Sequence, residues 1–459
     1  MRRMTRILLA VCLGTLIFAG CSKRKNPATP ASPPQGLVVE QLAVPFLGTL
    51  DLAHNALILN GLRPDPDRRR IRLYLPPGYQ PRGSGRPFPT LYLLHNFGLF
   101  PDLKGQPAWN QGYFNFYELA SIMDRLIASG EIQPMIVVQV DLAHYFYGGS
   151  FYTNSTSTAR YFTAVDSFLV NFVDQNYNTV FGRRSRAISG HGMGGYGALK
   201  LVLMGNDTTF GSVSALSAPL AFGDSGVTGR GFQSPAYINA LFTENGITIG
   251  DSARFRRDSV LFPSPLHTTK LKTNILFAMG APFSPVDTTF RDSLDPNIAG
   301  SPGRDALLAR ITDYFQFSKS PRDPGFLFPF DWQGAVIESV WNRWIDHDIK
   351  RMLSDPARAA RLDSTPLFFS CGRQDELGML EQNQDFYQRL LAVRPSKQVA
   401  SFIGMAGRRA LKGIFLVGKS SGVRRSFFIG PLKTILAWIW IKRPPTTPRF
   451  FGGRLPTGG

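Results

Sequence analysis

Apolar residues recur along this chain with two different periods. Arg70-Ile71-Arg72-Leu73-Tyr74-Leu75 alternates polar and apolar and stops at Pro76-Pro77-Gly78, the pattern of a strand closed by a turn. After Pro89, Thr90-Leu91-Tyr92-Leu93-Leu94 predicts a second strand running into His95-Asn96-Phe97-Gly98. Residues 135–140 are almost continuously apolar, as a strand covered by helices on both faces must be. Over 163–177, Val165, Phe168, Leu169, Phe172 and Val173 fall at helical spacing. Arg186-Ala187-Ile188-Ser189 then leads into a glycine-dense turn and a helix over 196–204. Further strands are predicted at 212–216, 274–279 and 367–371.

This alternation of strands and helices predicts an α/β fold with a mostly parallel sheet flanked by helices. One domain over 40–395 accommodates it, because α/β folds run well past 200 residues as single units. The stretch 281–340, rich in Pro, Asp and Phe, predicts a cap insertion near the mouth of a site. No internal repeat is present.

Charge changes the picture at the C-terminus. The net charge is +19, which invites a nucleic-acid or membrane-surface partner. From Phe386 to the last residue, however, there are fourteen Lys/Arg and no Asp or Glu. The rest of the chain is nearly balanced, so no nucleic-acid partner is expected. Two accounts of 396–459 stay open. One is a reading frame that shifts near 396–405; the other is a basic tail that touches anionic lipid. Translating the other two frames past that point decides between them.

The first twenty residues read as an address. Arg2, Arg3 and Arg6 precede a short apolar run from Ile7 to Phe18, too short to span a bilayer. It closes on Phe18-Ala19-Gly20-Cys21, which resembles the bacterial lipobox, with Phe18 where leucine is usual. The resemblance implies cleavage before Cys21, acylation of its thiol and a lipid-anchored protein on the periplasmic or extracellular face of the envelope. An ordinary signal peptide is the alternative. Residues 21–39 contain a Pro-rich, weakly apolar stretch that reads as a tether. Of the three cysteines, Cys371 alone belongs to the body; it reads as a small buried hydrophobe with no disulfide partner.

The most informative segment is Ser189-Gly190-His191-Gly192-Met193-Gly194-Gly195-Tyr196-Gly197-Ala198-Leu199. A strand running through crowded glycines into a helix is the setting of the nucleophile elbow, G-x-S-x-G. The segment resembles the putative-esterase family of the α/β-hydrolase fold, which includes esterase D, enterochelin and feruloyl esterases and the mycolyltransferases. Members typically carry Gly-His-Ser-Met-Gly-Gly-Tyr-Gly-Ala-Leu at this turn; the chain matches at every position except the nucleophile, where Gly192 stands. Leu73 to Tyr79 resembles the family's early strand ending in Pro-x-Gly-Tyr. Leu91-Tyr92-Leu93-Leu94-His95-Asn96 resembles its Leu-Tyr-Leu-Leu-His-Gly. Asn is enriched at left-handed backbone positions, which makes Asn96 for glycine a mild departure. The resemblance covers roughly 65–395.

Ester hydrolysis on this fold needs a hydroxyl nucleophile, a histidine base, an orienting carboxylate and two backbone N–H donors for the oxyanion. The resemblance implies Met193 and Phe97 as the donors and Asp375 as the acid. The nucleophile is missing at Gly192. The six histidines are His54, His95, His144, His191, His267 and His347, and none follows Asp375, although the order Ser, Asp, His requires it. His347 reads as a surface residue in a helical segment, and His95 and His191 as structural. Gly418-Lys419-Ser420-Ser421-Gly422 satisfies G-x-S-x-G formally but lies beyond the acid; Ser189 reads as core. No metal-ligand spacing or phosphate loop is present, and no cofactor is expected.

Three functions follow. The chain is a catalytically impaired carboxylic-ester hydrolase or acyltransferase lineage member; or a binding module whose vacated site, with both donors still aimed into it, holds a small ester or acyl ligand; or an envelope scaffold.

Overall fold

In the computed structural model, the described residues are 36–43, 68–97, 119–142, 149–155, 159–223, 229–254, 270–285, 316–317, 326–373, 375–397 and 399–405. Cys21, the address and tether up to residue 35, the greater part of 281–340, Gly418 to Gly422 and the tail after Met405 lie outside them.

An eight-stranded sheet organises the body. Its strands are β1 (Gly36–Ala43), β2 (Arg68–Leu75), β3 (Thr90–Leu94), β4 (Ile136–Val140), β5 (Arg186–His191), β6 (Ser212–Leu216), β7 (Leu367–Gly372) and β8 (Val399–Met405). Their order across the sheet is β1-β2-β4-β3-β5-β6-β7-β8. β2 runs antiparallel to β1 and β4, and all pairs from β4 to β8 are parallel. The chain is therefore of the mostly parallel α/β class. The sheet takes in Gly36 to Val39, which the sequence reading gives to the tether, and continues through Met405, inside the basic segment.

Two cores lie on the two faces of the sheet, and the period of two decides which residue joins which. Leu91, Leu93, Val137, Ala187 and Phe368 pack with helix α1 (Leu119–Ala128) through Leu119, Ile122, Met123 and Leu126. Their neighbours Tyr92, Leu94, Val138, Ile188 and Phe369 enter the larger core on the other face. Such alternation of fully buried side chains is what a sheet sandwiched between helices demands.

Two predicted elements differ. Over 163–177 the helix forms, but as Tyr161–Thr163, a π-helical turn Ala164–Leu169 and Val170–Asn176 in succession. The strand predicted at 274–279 is instead the middle of helix α3 (Leu271–Phe283), in which every residue from Thr273 to Phe283 is buried. A helix buried on all sides has no polar face, so its apolar run carries no period to tell it from a strand.

Candidate active site

β5 ends at His191 and the chain turns at once into helix α2 (Met193–Met204). Gly192, between them, has φ +54° and ψ −119°. This backbone conformation strains any residue with a Cβ and is the kind found where a turn holds a functional group. Gly192 N–H donates to Leu216 O at 2.7 Å, and Tyr196 N–H donates to Gly192 O at 3.0 Å, which closes the first turn of α2. A Cβ on Gly194 would stand 2.1 Å from Leu94 O. The glycines thus let α2 start against the end of β3, which is why this frame is legible in sequence.

Gly192, Met193, Phe97 and Asp375 line one cavity together with Asn96, Phe151, Ser217 and Phe232. The sequence-predicted site residues therefore meet at one place, apart from Cys21, which lies outside the described residues. What fills the place is Asn96. Its Oδ1 accepts from Phe97 N–H at 2.7 Å and from Met193 N–H at 3.0 Å. These are the two donors expected to hold an oxyanion, so they do not face a vacated site. Asn96 Nδ2 lies 3.1 Å from His191 Nδ1. Because Oδ1 is taken by two donors, Nδ2 must donate, and His191 accepts through Nδ1. Burial holds His191 neutral, pulling its pKa down to about 4. His95 is fixed likewise: its Nε2 accepts from Leu142 N–H at 3.0 Å, so its Nδ1–H donates to Asn96 O at 2.8 Å.

Among the described residues, the non-glycine positions of positive φ are Phe151, Tyr152 and Ser217, and Asn96 is not one of them. The expectation of a left-handed backbone at Asn96 is corrected: the departure lies in what its side chain does. All three strained residues pack around the site. Phe151 and Ser217 line the cavity, Phe151 N–H points at Met193 Sδ at 3.3 Å, and Tyr152 Oη–H donates to His95 O at 2.9 Å. Sequence reasoning missed Asn96, Phe151 and Ser217. Only the exchange of glycine for asparagine after His95 was available as a signal.

Asp375 follows β7. Its Oδ1 accepts from Leu377 N–H at 2.9 Å and Met379 N–H at 3.2 Å, and Cys371 Sγ lies 3.6 Å from Oδ2. Burial raises its pKa and the backbone donors oppose the rise. Its carboxylate is spent on its own loop, with no imidazole among these partners. Cys371 is buried and free, and burial raises its thiol pKa, so it is no nucleophile. Ser189 Oγ pairs with Ser214 Oγ at 2.5 Å inside the core.

The surface reading of His347 is corrected. Its ring stacks on Phe283 with centroids 4.5 Å apart, and Nδ1 lies 3.3 Å from Lys200 Nζ. Lys200, buried on α2, also donates to Thr153 Oγ1 at 2.5 Å. Burial lowers the Lys200 pKa to about 7. An unfolded lysine titrates near 10.4, so between about pH 7 and 10 the unfolded chain holds the extra proton. Stability should therefore rise with pH across that window, by up to about 1.4 kcal/mol per pH unit from this residue. Melting curves from pH 7 to 10 should be flatter for Lys200→Met than for the native chain; parallel curves would rule the effect out.

Residues 66–300 match the model of the family described as putative esterase. The chain is similar to an endo-1,4-beta-xylanase/feruloyl esterase of Xylanibacter ruminicola, 34% identical over 150 residues, covering 32% of this chain and 19% of that protein. It is also similar to an esterase of Mycobacterium tuberculosis, 30% identical over 134 residues, covering 28% of this chain and 25% of that protein. It thus spans a quarter or less of these relatives' length. Among solved structures, a ferulic acid esterase is matched over 88% of this chain and 96% of that one, with 17% identity and a TM-score of 0.46. With the family model covering half of its length and the elbow frame intact around Gly192, this chain belongs to the putative-esterase family of α/β-hydrolases.

Proposed function

We propose that this family member has lost ester hydrolysis and serves as a lipid-anchored envelope protein. The observation that carries the first part is Gly192 at the elbow, where a side chain must supply the attacking oxygen. No histidine follows Asp375 in the sequence, and the Asp375 carboxylate is engaged by main-chain N–H groups. A triad built on Gly192 therefore lacks its nucleophile, and residues 376–459 as they stand supply no histidine base. The test is aryl-ester turnover by the purified domain beside its Gly192→Ser variant. Background rates in both support the reading, and substantial turnover by the native chain overturns it.

A non-catalytic role that takes a small ester or acyl ligand is the second reading. The apolar lining of Phe97, Phe151, Phe232, Ile275 and Leu377 favours it. With its side chains as they stand, the cavity offers about 30 Å³, room for a water or two rather than an aryl ester. Such a ligand would need the site to open. The feruloyl esterase named among the relatives makes hydroxycinnamoyl esters the class to try first.

The envelope location rests on Phe18-Ala19-Gly20-Cys21. Cells expressing the full chain should incorporate labelled palmitate into it, and Cys21→Ser should abolish the label. An unlabelled native chain would leave an ordinary signal peptide as the better account.

A further inference from the structure

Position 192 lacks a Cβ, and position 96 bears a carboxamide where the family has glycine. The fold brings these two departures together. A Cβ built on Gly192 would stand 2.1 Å from Asn96 Oδ1, 2.7 Å from its Cγ and 2.9 Å from its Nδ2. A serine at 192 and the present Asn96 side chain cannot both occupy that space, since non-bonded atoms of this kind meet at more than 3 Å. Asn96 also meets every requirement of the spot it fills. Its carbonyl oxygen receives the Phe97 and Met193 N–H groups, and its amide nitrogen donates to a histidine that burial keeps neutral.

The geometry points to Asn96 as a resident ligand of the oxyanion cradle, admitted by the absence of a side chain at 192. The carboxamide stands in for the carbonyl of an ester, and the cradle becomes an internal clasp between the end of β3 and the start of α2. The clasp is electrically neutral, which suits a partly buried place where an unpaired N–H is costly. Two consequences follow. The departure at 192 cannot be reversed alone, because Gly192→Ser drives a side chain into Asn96. External carbonyl or carboxylate groups compete with an intramolecular group that is always present, so they bind weakly unless Asn96 is removed. The inference rests on the reading of 192 as the nucleophile position.

A double-mutant cycle tests it, with the native chain, Asn96→Gly, Gly192→Ala and the double variant compared by melting temperature. The left-handed strain of alanine at 192 is common to both backgrounds and cancels, which isolates the contact. The expected result is a loss of several degrees on Gly192→Ala in the native background and a clearly smaller loss in the Asn96→Gly background. Equal losses overturn the clasp. Should Gly192→Ala fail to fold, an acetate titration of the native chain and Asn96→Gly replaces the cycle, following the Phe97 and Met193 amide resonances. They should shift in Asn96→Gly and stay fixed in the native chain; equal shifts overturn the clasp. Ester turnover by the native chain would remove the functional reading, whereas the cycle bears on the contact alone, so the two failures are told apart.

Discussion

Purified, this chain is expected to hydrolyse an aryl ester such as p-nitrophenyl acetate about 10⁶-fold more slowly than a serine hydrolase with an intact triad. The figure is the general cost of deleting a nucleophile, after which only oxyanion donors and binding remain. Here even those are compromised, because Asn96 Oδ1 already accepts both donors. Restoring serine at 192 is expected to recover little. The new hydroxyl would meet Asn96, and residues 376–459 hold no histidine to take its proton. A steady-state assay of both proteins against buffer alone is sufficient. Native turnover within a hundredfold of an ordinary hydrolase would mean that the attacking group lies elsewhere.

The second large effect is on stability. Asp174 and Arg186 form an ion pair through Oδ2 and Nη2, with both residues less than a tenth exposed. Thr179 Oγ1–H donates to Asp174 Oδ1 at 2.8 Å, and Arg186 Nη1 donates to Thr209 O at 3.4 Å. Arg186 opens β5, the strand that delivers Gly192. Asp174→Ala would leave a guanidinium buried without a counter-charge, a change that costs about 3–5 kcal/mol in comparable pairs. Asp174→Leu with Arg186→Met should recover most of the loss, because removing both charges also removes both desolvation costs. Urea titrations of the three proteins check this; a loss below about 1 kcal/mol for Asp174→Ala would show the charge reaching solvent or another partner.

Much of the architecture was legible because periodicity is a local property. β2, β3, β4, β5, β6 and β7 announce themselves by alternation or by β-branched and aromatic runs, since each strand needs particular faces buried. α3 was misread because burial on all sides erases the periodic signal. The elbow was legible for a different reason. Gly194 is demanded by a backbone approach that any Cβ would block, so the constraint is written in the residue type itself. His347 could not be placed, because its stacking partner Phe283 and its neighbour Lys200 are distant in the chain.

The sequence by itself determined the strand-turn-helix frame, the glycine at 192 and the absence of histidine from residues 376–459, because each is a matter of residue identity. Tertiary structure alone decided what stands in the cradle. Asn96 lies 97 residues before Met193, and no local pattern records that its carboxamide reaches both donors. That meeting exists only once the ends of β3 and β5 lie side by side in the sheet.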